Sequence, residues 1–247
     1  MEPPPLGRRL QIPALAKGEV RYEQDLGSGS FVRHHRVFQR AVLPAAAYLE
    51  MGLAAADCSA GLRVSAKSPI FPRLTDVVVQ RALVFTEERD RTVQLVVRPE
   101  MSQAVSSSAR FEIYSQSEDE TGQTPAWILH ASGQISNVAP VSVPLPTDLE
   151  ILQAEFENEV AIAEFYQQCR KRGLEYGPDF QVLQRVWQAK RQALGLVELP
   201  ERLAEEAKQY QIHPVLLDAC FQVLLATLPE SSQSETWLPV GLKRFQL

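Results

Sequence analysis

Residues 31–57 read FVRHHRVFQRAVLPAAAYLEMGLAAAD, and how this stretch folds decides how the rest of the chain must fold around it. Proline is tolerated in the first turn of a helix, where its missing N–H would have no partner anyway, so Pro44 marks a helix start. The residues that follow, Ala45 to Asp57, contain one glycine, no further proline, and only Tyr48, Glu50 and Asp57 as polar members. A helix with so little polar surface is enclosed by other structure. His34 and His35 stand at its mouth. The same pattern also suits a core helix that merely lies beside surface histidines, so the helix alone assigns no chemistry.

The chain of 247 residues is long enough for one large domain or two ordinary ones. With 45% hydrophobic and 22% charged residues it is expected to be a folded soluble protein. The net charge of −5 provides no electrostatic footprint for nucleic acid or for an anionic membrane. No window approaches the roughly 18 apolar residues of a membrane span, and the N-terminal MEPPPLGRRL has no apolar signal core. Cys58, Cys169 and Cys220 are odd in number and form no C-x-x-C pair, so they are expected to be reduced packing residues of a cytoplasmic protein.

Around the helix the pattern changes to strands. Gly18 to Glu23 alternates and Gly27 to Ser30 is turn-forming, while Leu74–Phe85, Thr92–Val97, Arg110–Tyr114 and Trp127–Ile135 are β-branched or apolar runs separated by turn residues. One long helix among many short strands, without regular strand and helix alternation, predicts an α+β fold with an antiparallel sheet wrapped around the helix. Gly133 to Pro146 then loses charge and carries three prolines, the signature of a stiff linker. We therefore divide the chain into residues 1–138, a linker at 139–150, and residues 151–247. The second unit repeats the plan on a smaller scale. Asn158–Arg172 reads as a helix ended by Gly173, Phe180–Leu199 as two strands, Glu201–Tyr210 as a charged helix, and Pro214–Leu228 as a second buried helix, with at most one strand after it.

Asp218 and Gln222 lie four residues apart in that second helix and so share a face, where the amide can orient the carboxyl. A carboxyl in a setting as apolar as LLDACF tends to hold its proton, which suits a general acid, although a capping or core hydrogen-bonding role would need the same residue. Histidine, with a reference pKa of about 6.5, suits a general base.

Three motifs, in order, resemble those of one family. His35-Arg-Val-Phe-Gln-Arg-Ala-Val-Leu-Pro44 is similar to H-x-x-x-G-x-x-x-x-P, Gly173-Leu-Glu-Tyr176-Gly177-Pro178-Asp-Phe180 to G-x-x-Y-G-P-x-F, and His213-Pro214-Val-Leu-Leu-Asp218-Ala-Cys-Phe-Gln222 to H-P-x-x-x-D-x-x-x-Q. The family is the dehydratase domains of modular polyketide synthases and animal-type fatty acid synthases, and the resemblance runs from Leu6-Gly7 to Leu238-Pro-Val-Gly241. It implies a double hot-dog fold, two antiparallel sheets each wrapped around one helix, with the site between them. It also implies dehydration of a 3-hydroxyacyl thioester to the enoyl thioester, with His35 as base and Asp218 as acid. Tyr176 and Gln222 would hold the hydroxyl and the carboxyl, and Gln39, Pro44 and Gly177 are carried over with them as substrate-binding positions. No metal or other cofactor is implied, because the substrate rides on the phosphopantetheine arm of an acyl carrier protein. The carrier and the other domains of a synthase module would be the partners, and a homodimer is compatible.

Two positions depart from the pattern. His34 stands where the family often has Asp, and is expected to be a surface neighbour. Gln39 replaces the motif glycine, whose backbone N–H, as the resemblance implies, polarises the thioester carbonyl. A left-handed glutamine costs roughly 1–2 kcal/mol, whereas a lost oxyanion-type donor costs about 2.7–4 kcal/mol in the barrier. A domain that only binds carrier protein or scaffolds a module, or a hot-dog thioesterase or double-bond isomerase, is the alternative. The basic run Arg33, His34, Arg36 and Arg40 is either a solvated face or a contact for phosphate or carrier protein. The early end after Leu247 leads us to expect a piece of a larger polypeptide with a short second sheet.

Overall fold

The structure, a computed structural model, describes residues 6–12, 16, 18–27, 31–58, 71–86, 90–100, 108–117, 126–138, 149–156, 158–228 and 235–247. The first half contains β1 (Arg8–Arg9), β2 (Val20–Leu26), a 3-10 turn at Phe31–His34, β3 (His35–Val37), β4 (Arg40–Val42) and α1 (Ala45–Cys58). It continues through β5 (Phe71–Val79), β6 (Val84–Phe85), β7 (Arg91–Glu100), β8 (Ser108–Gln116) and β9 (Trp127–Val138). The second half contains α2 (Leu149–Ala154), β10 (Asn158–Val160), α3 (Ile162–Lys171), β11 (Leu174–Tyr176), β12 (Leu183–Ala189) and β13 (Gln192–Val197). It ends with α4 (Glu201–Ala207), α5 (Pro214–Val223), a 3-10 turn at Leu224–Thr227, and β14 (Gly241–Gln246).

Seven strands form one antiparallel sheet in the order β1, β2, β7, β8, β9, β5, β14. Successive side chains of a strand point to opposite faces, and in β8 the alternate residues Ala109, Phe111, Ile113 and Ser115 are the buried ones. That face closes on α1, whose Ala46, Tyr48, Leu53 and Ala55 are almost fully buried. Gly52 lets the helix approach the sheet, because a Cβ there would lie 3.2 Å from both Leu74 and Phe111. The expected enclosed helix and wrapping antiparallel sheet are therefore present. A three-stranded sheet in the order β10, β12, β13 backs α5, and a four-stranded one in the order β11, β3, β4, β6 joins residues of both halves.

Several expected boundaries move. Leu74–Phe85 is not one strand: the register shifts between Thr75 and Val78, Asp76 has φ +49°, and after Val79 the chain leaves the large sheet to pair as β6 with β4. Gly133–Val138 is strand and not linker, since β9 runs to Val138 and Gly133 packs where a Cβ would come 2.7 Å from the Phe111 ring. Residues 139–148 of the expected linker lie outside the described residues, while Leu149 and Glu150 open a helix. Asn158–Val160 pairs with β12 instead of starting a helix, so that helix begins at Ile162. Gly173, at φ +78°, follows its end as expected. The second buried helix is α-helical only to Val223. With a three-stranded sheet beside it, it is less enclosed than α1, and Cys220, expected as packing, is exposed, while Cys169 is buried. Cys58 lies in α1, but its side chain is outside the described residues. The last strand, β14, pairs with β5 of the first half.

Candidate active site

β3 brings the site together. Its period of two turns His35 and Val37 toward a cavity and Arg36 away from it. β11 pairs antiparallel with β3 so that Tyr176 sits directly opposite His35. Their ring centroids are 5.7 Å apart, and the Phe180 ring lies 5.2 Å from His35 on another side. The short hairpin back through β4 presents the Val42 carbonyl 2.9 Å from His35 Nδ1. A carbonyl only accepts, so Nδ1 carries the proton and the neutral ring keeps its lone pair on Nε2.

Asp218 comes from the second turn of α5 and is 4% exposed. His213 starts that helix, with Nδ1 accepting the Val215 N–H at 3.2 Å, and Pro214 follows in the first turn. Gln222 Nε2 donates to Asp218 Oδ2 at 3.0 Å and to the Phe180 carbonyl at 3.1 Å. Its Oε1 accepts from the Tyr166 hydroxyl at 3.3 Å. The amide is thus fixed by three partners, and Oδ2 is committed as an acceptor. Any proton on this carboxyl belongs on Oδ1, which lies 3.9 Å from His35 Nε2. Burial pushes the Asp218 pKa up, opposed by His35 and by the Gln222 hydrogen bond. Burial likewise pushes the Tyr176 phenol well above its usual value, so it stays protonated.

His35, Tyr176, Asp218 and Gln222 line a cavity of about 200 Å³ together with two exposed segments, Gln80 to Ala82 and Trp237 to Val240. Apart from Tyr48, its remaining lining is apolar, from Val37, Val42, Leu43 and Phe221 among others. A carboxyl that burial inclines to hold its proton and an imidazole nitrogen that can accept one therefore face each other beside an apolar lining. Among the described residues no cluster of three His, Cys, Asp or Glu is arranged to hold a metal ion, and no helix is long and apolar enough to cross a membrane.

His35, Asp218, Tyr176 and Gln222 are the expected site residues that the fold assembles. Gln39, Pro44 and Gly177 stand outside the cavity lining. Gln39 has φ +63°, and its N–H donates to Glu175 Oε1 at 3.2 Å. Pro44 sits at the start of α1, its carbonyl accepting from Ala47 N–H at 3.0 Å. Gly177 donates its N–H to the His34 carbonyl at 2.7 Å and allows a close approach, since a Cβ would meet His34 at 2.9 Å. Arg33, Arg36 and Arg40 do not surround the cavity: with Gln39 they line a separate recess. His34 is half-buried and bonds through Nδ1 to Asp179 Oδ2 at 2.6 Å, while Arg202 holds the other oxygen.

Sequence reasoning missed Tyr166, the Val42 carbonyl and Glu50. Glu50, fully buried in α1, accepts the N–H groups of Gln211 and Ile212 at 2.8 and 3.0 Å, and so fixes the loop that leads into the Asp218 helix. A carboxylate in an otherwise apolar helix was the available signal for Glu50. A main-chain carbonyl leaves no trace in a sequence, and Tyr166 is an ordinary apolar position of an amphipathic helix.

Comparison with known proteins agrees with this fold. The family model described as polyketide synthase dehydratase domain matches residues 4–116, and that described as polyketide synthase dehydratase N-terminal domain matches residues 144–247. The dehydratase domain from the CurF module of curacin polyketide synthase is 32% identical, with a TM-score of 0.86 over 99% of this chain and 83% of that one. The dehydratase domain from the CurK module is 31% identical, with a TM-score of 0.83 over 98% and 81%. Spectinabilin polyketide synthase system protein NorA' of Streptomyces orinoci is 28% identical over 225 residues, and polyketide synthase PksM of Bacillus subtilis 28% over 229. These matches take in 91% and 90% of this chain but only 6% and 5% of those proteins, so the chain corresponds to one small part of them. With a double hot-dog fold and a histidine facing an aspartic acid between its halves, the chain belongs to the dehydratase domains of polyketide synthases.

Proposed function

We propose that this domain removes water from a 3-hydroxyacyl thioester carried on the phosphopantetheine arm of an acyl carrier protein, giving the 2,3-unsaturated thioester. The observation that carries the reading is the facing of His35 Nε2, left free to accept in the neutral tautomer that the Val42 carbonyl selects, and Asp218 Oδ1 across 3.9 Å. His35 Nε2 takes the proton from C2. The C2–H electron pair becomes the C2–C3 double bond as the C3–O bond breaks, and Asp218 gives its proton to the departing hydroxyl, which leaves as water. The Asp218 carboxylate and the protonated His35 then exchange a proton to restore the starting state. Because donor and acceptor are neighbours, hydrogen and hydroxyl depart on one face of the substrate. In this reading Tyr176, kept as a phenol, holds the hydroxyl, supported by its place in the cavity lining, and Gln222 holds the acid.

Two structures of the CurK dehydratase described as inactive carry a histidine-to-phenylalanine and an aspartate-to-asparagine substitution, the same two residue types. One observation favours the second reading, a carrier-binding domain of weak activity: the Gln39 N–H is engaged by Glu175 and is not directed to the cavity. Mass spectrometry of a 3-hydroxyacyl carrier protein incubated with the domain separates the two. The expected result is loss of one water with the wild type and none with His35→Phe or Asp218→Asn. An unchanged substrate beside a folded wild type that still binds its carrier would overturn the dehydratase reading. The rate is expected to fall on the alkaline side as Asp218, despite its raised pKa, gives up its proton.

A further inference from the structure

His130 is a second buried histidine, and the chemistry above makes no use of it. It sits in β9 with 2% of its surface exposed. Both ring nitrogens are engaged: Nδ1 lies 2.9 Å from the Arg81 carbonyl oxygen, and Nε2 lies 2.8 Å from Ser115 Oγ in β8. The partners fix the protons. The carbonyl only accepts, so Nδ1 carries the hydrogen and Nε2 accepts the hydroxyl proton of Ser115. Ser115 Oγ in turn accepts from Arg91 Nη2 at 3.2 Å, and the same nitrogen donates to the Gln116 carbonyl at 3.0 Å. Donors run in one direction, from Arg91 through Ser115 and His130 to the Arg81 main chain. Burial, with Arg91 and Arg81 nearby, holds the imidazole below its ordinary pKa and so keeps it neutral.

The far end of this relay is a wall of the cavity. Gln80, Arg81 and Ala82 line it where the chain has left β5 and not yet reached β6. The main-chain N–H groups of Gln80 and Arg81 both point back to the His130 carbonyl, at 2.8 and 3.3 Å. With its amide turned so that the oxygen accepts from Ser132 Oγ at 2.8 Å, Gln80 adds a side-chain donor to that same carbonyl at 3.1 Å. A single residue therefore ties down, through both its ring and its main chain, a segment that no sheet holds. Bifunctional imidazole suits the task, since it accepts from one buried strand and donates to the wall.

We propose that His130, oriented by Ser115 and Arg91, is a positioning residue that sets the wall at residues 80–82 and with it the fit of the acyl chain. The proposal rests on the cavity being the acyl chamber of the dehydratase. Its test uses the whole chain with N-acetylcysteamine thioesters of 3-hydroxybutyrate and 3-hydroxyoctanoate, with kcat and KM separated and Kd followed in parallel by NMR titration. Loss of water by the wild type addresses the dehydratase reading, whereas the Kd values address the wall whether or not water is lost.

In His130→Leu, KM and Kd are expected to rise about five- to tenfold with kcat within about twofold, because uniform binding is lost and the reacting groups are untouched. The preference between the two chain lengths should narrow. His130→Asn, whose amide can still donate to the Arg81 carbonyl from near the Nδ1 position, should recover most of the affinity. Ser115→Ala should move both constants in the same direction by about threefold, and combining it with His130→Leu should add little, as for groups acting in one network. Wild-type constants and chain-length preference in a folded His130→Leu protein would overturn the proposal, as would an Asn variant no better than the Leu one. If His130→Leu fails to fold, Ser115→Ala, which removes only a hydroxyl, decides alone, and unchanged KM and Kd there would overturn it.

Discussion

At Asp218 the demands of chemistry and of stability oppose each other. Its carboxyl is buried, with a pKa above the ordinary carboxylate value. The folded state therefore prefers the protonated form, and ionisation as pH rises from about 4 through the raised value costs folding free energy. Asparagine carries no such cost and can still accept from Gln222. Asp218→Asn is accordingly expected to be inactive yet more stable than the wild type. The urea midpoints of the two proteins should coincide in acid and diverge as pH rises, with the variant higher; a gap that widened toward acid would contradict the assigned shift. Gln39 shows a different kind of cost. Phe38 and Gln39, at φ +47° and +63°, form the two-residue loop between β3 and β4. This is the arrangement of a type I′ turn, in which glycine is preferred at the second position. The motif glycine that glutamine replaces is thus explained by backbone conformation. Gln39→Gly should raise stability by about 1 kcal/mol in denaturant unfolding, and a loss of stability would mean that the Gln39 side chain makes contacts worth more than the strain.

At the scale of elements, the two buried helices were legible because each is announced by a proline and then sustained by apolar residues. The strands β7, β8 and β9 were legible from their composition, with ends misplaced by a few residues. What could not be read locally was any choice made by distant partners. The run LTDVVVQRALVF is strand-like throughout, and only pairing with β9 and β14 on one side and β4 on the other shows why it breaks after Val79. The facing of His35 and Asp218, far apart in the chain, came from motif resemblance and not from periodicity, and the Tyr166 and Val42 supports came from neither. Glu50 joins the two helices that were legible separately: a carboxylate on α1 holds two N–H groups just ahead of α5. Glu50→Ala removes the acceptor of these two part-buried hydrogen bonds, at about 1 kcal/mol each, and empties space in a fully buried face of α1. We expect it to lower stability by about 2–5 kcal/mol and to reduce kcat at temperatures where the protein remains folded, because Asp218 loses its fixed approach to His35. Glu50→Gln keeps one acceptor oxygen and should cost less; equal losses in the two variants would show that volume, and not hydrogen bonding, is what the site requires.

At the scale of the molecule, the two halves are interleaved by backbone. β11 of the second half completes a sheet with β3, β4 and β6, and β14 extends the large sheet at β5. The first of these pairings places Tyr176 against His35, and the second anchors the Trp237 to Val240 wall, since Val79 N–H donates to the Val240 carbonyl at 2.9 Å. Stability and site assembly therefore share the same contacts, so the halves should unfold together. Tryptophan fluorescence and far-ultraviolet circular dichroism are expected to trace one coincident urea transition; two separated transitions would show that each half folds by itself. Removing residues 241–247 tests the coupling directly. Leu242 and Phe245, partly buried against the core around α1, would be lost, and the β5 edge would be left open. At about 25 cal/mol per Å² of apolar surface, two half-buried side chains of this size contribute about 2–3 kcal/mol. The shortened chain should lose about that much stability, associate through the bare edge of β5, and bind the 3-hydroxyacyl thioester more weakly because one wall of the cavity has lost its tether. A shortened protein as stable and as tight in binding as the full chain would place the Trp237 to Val240 wall outside the working site.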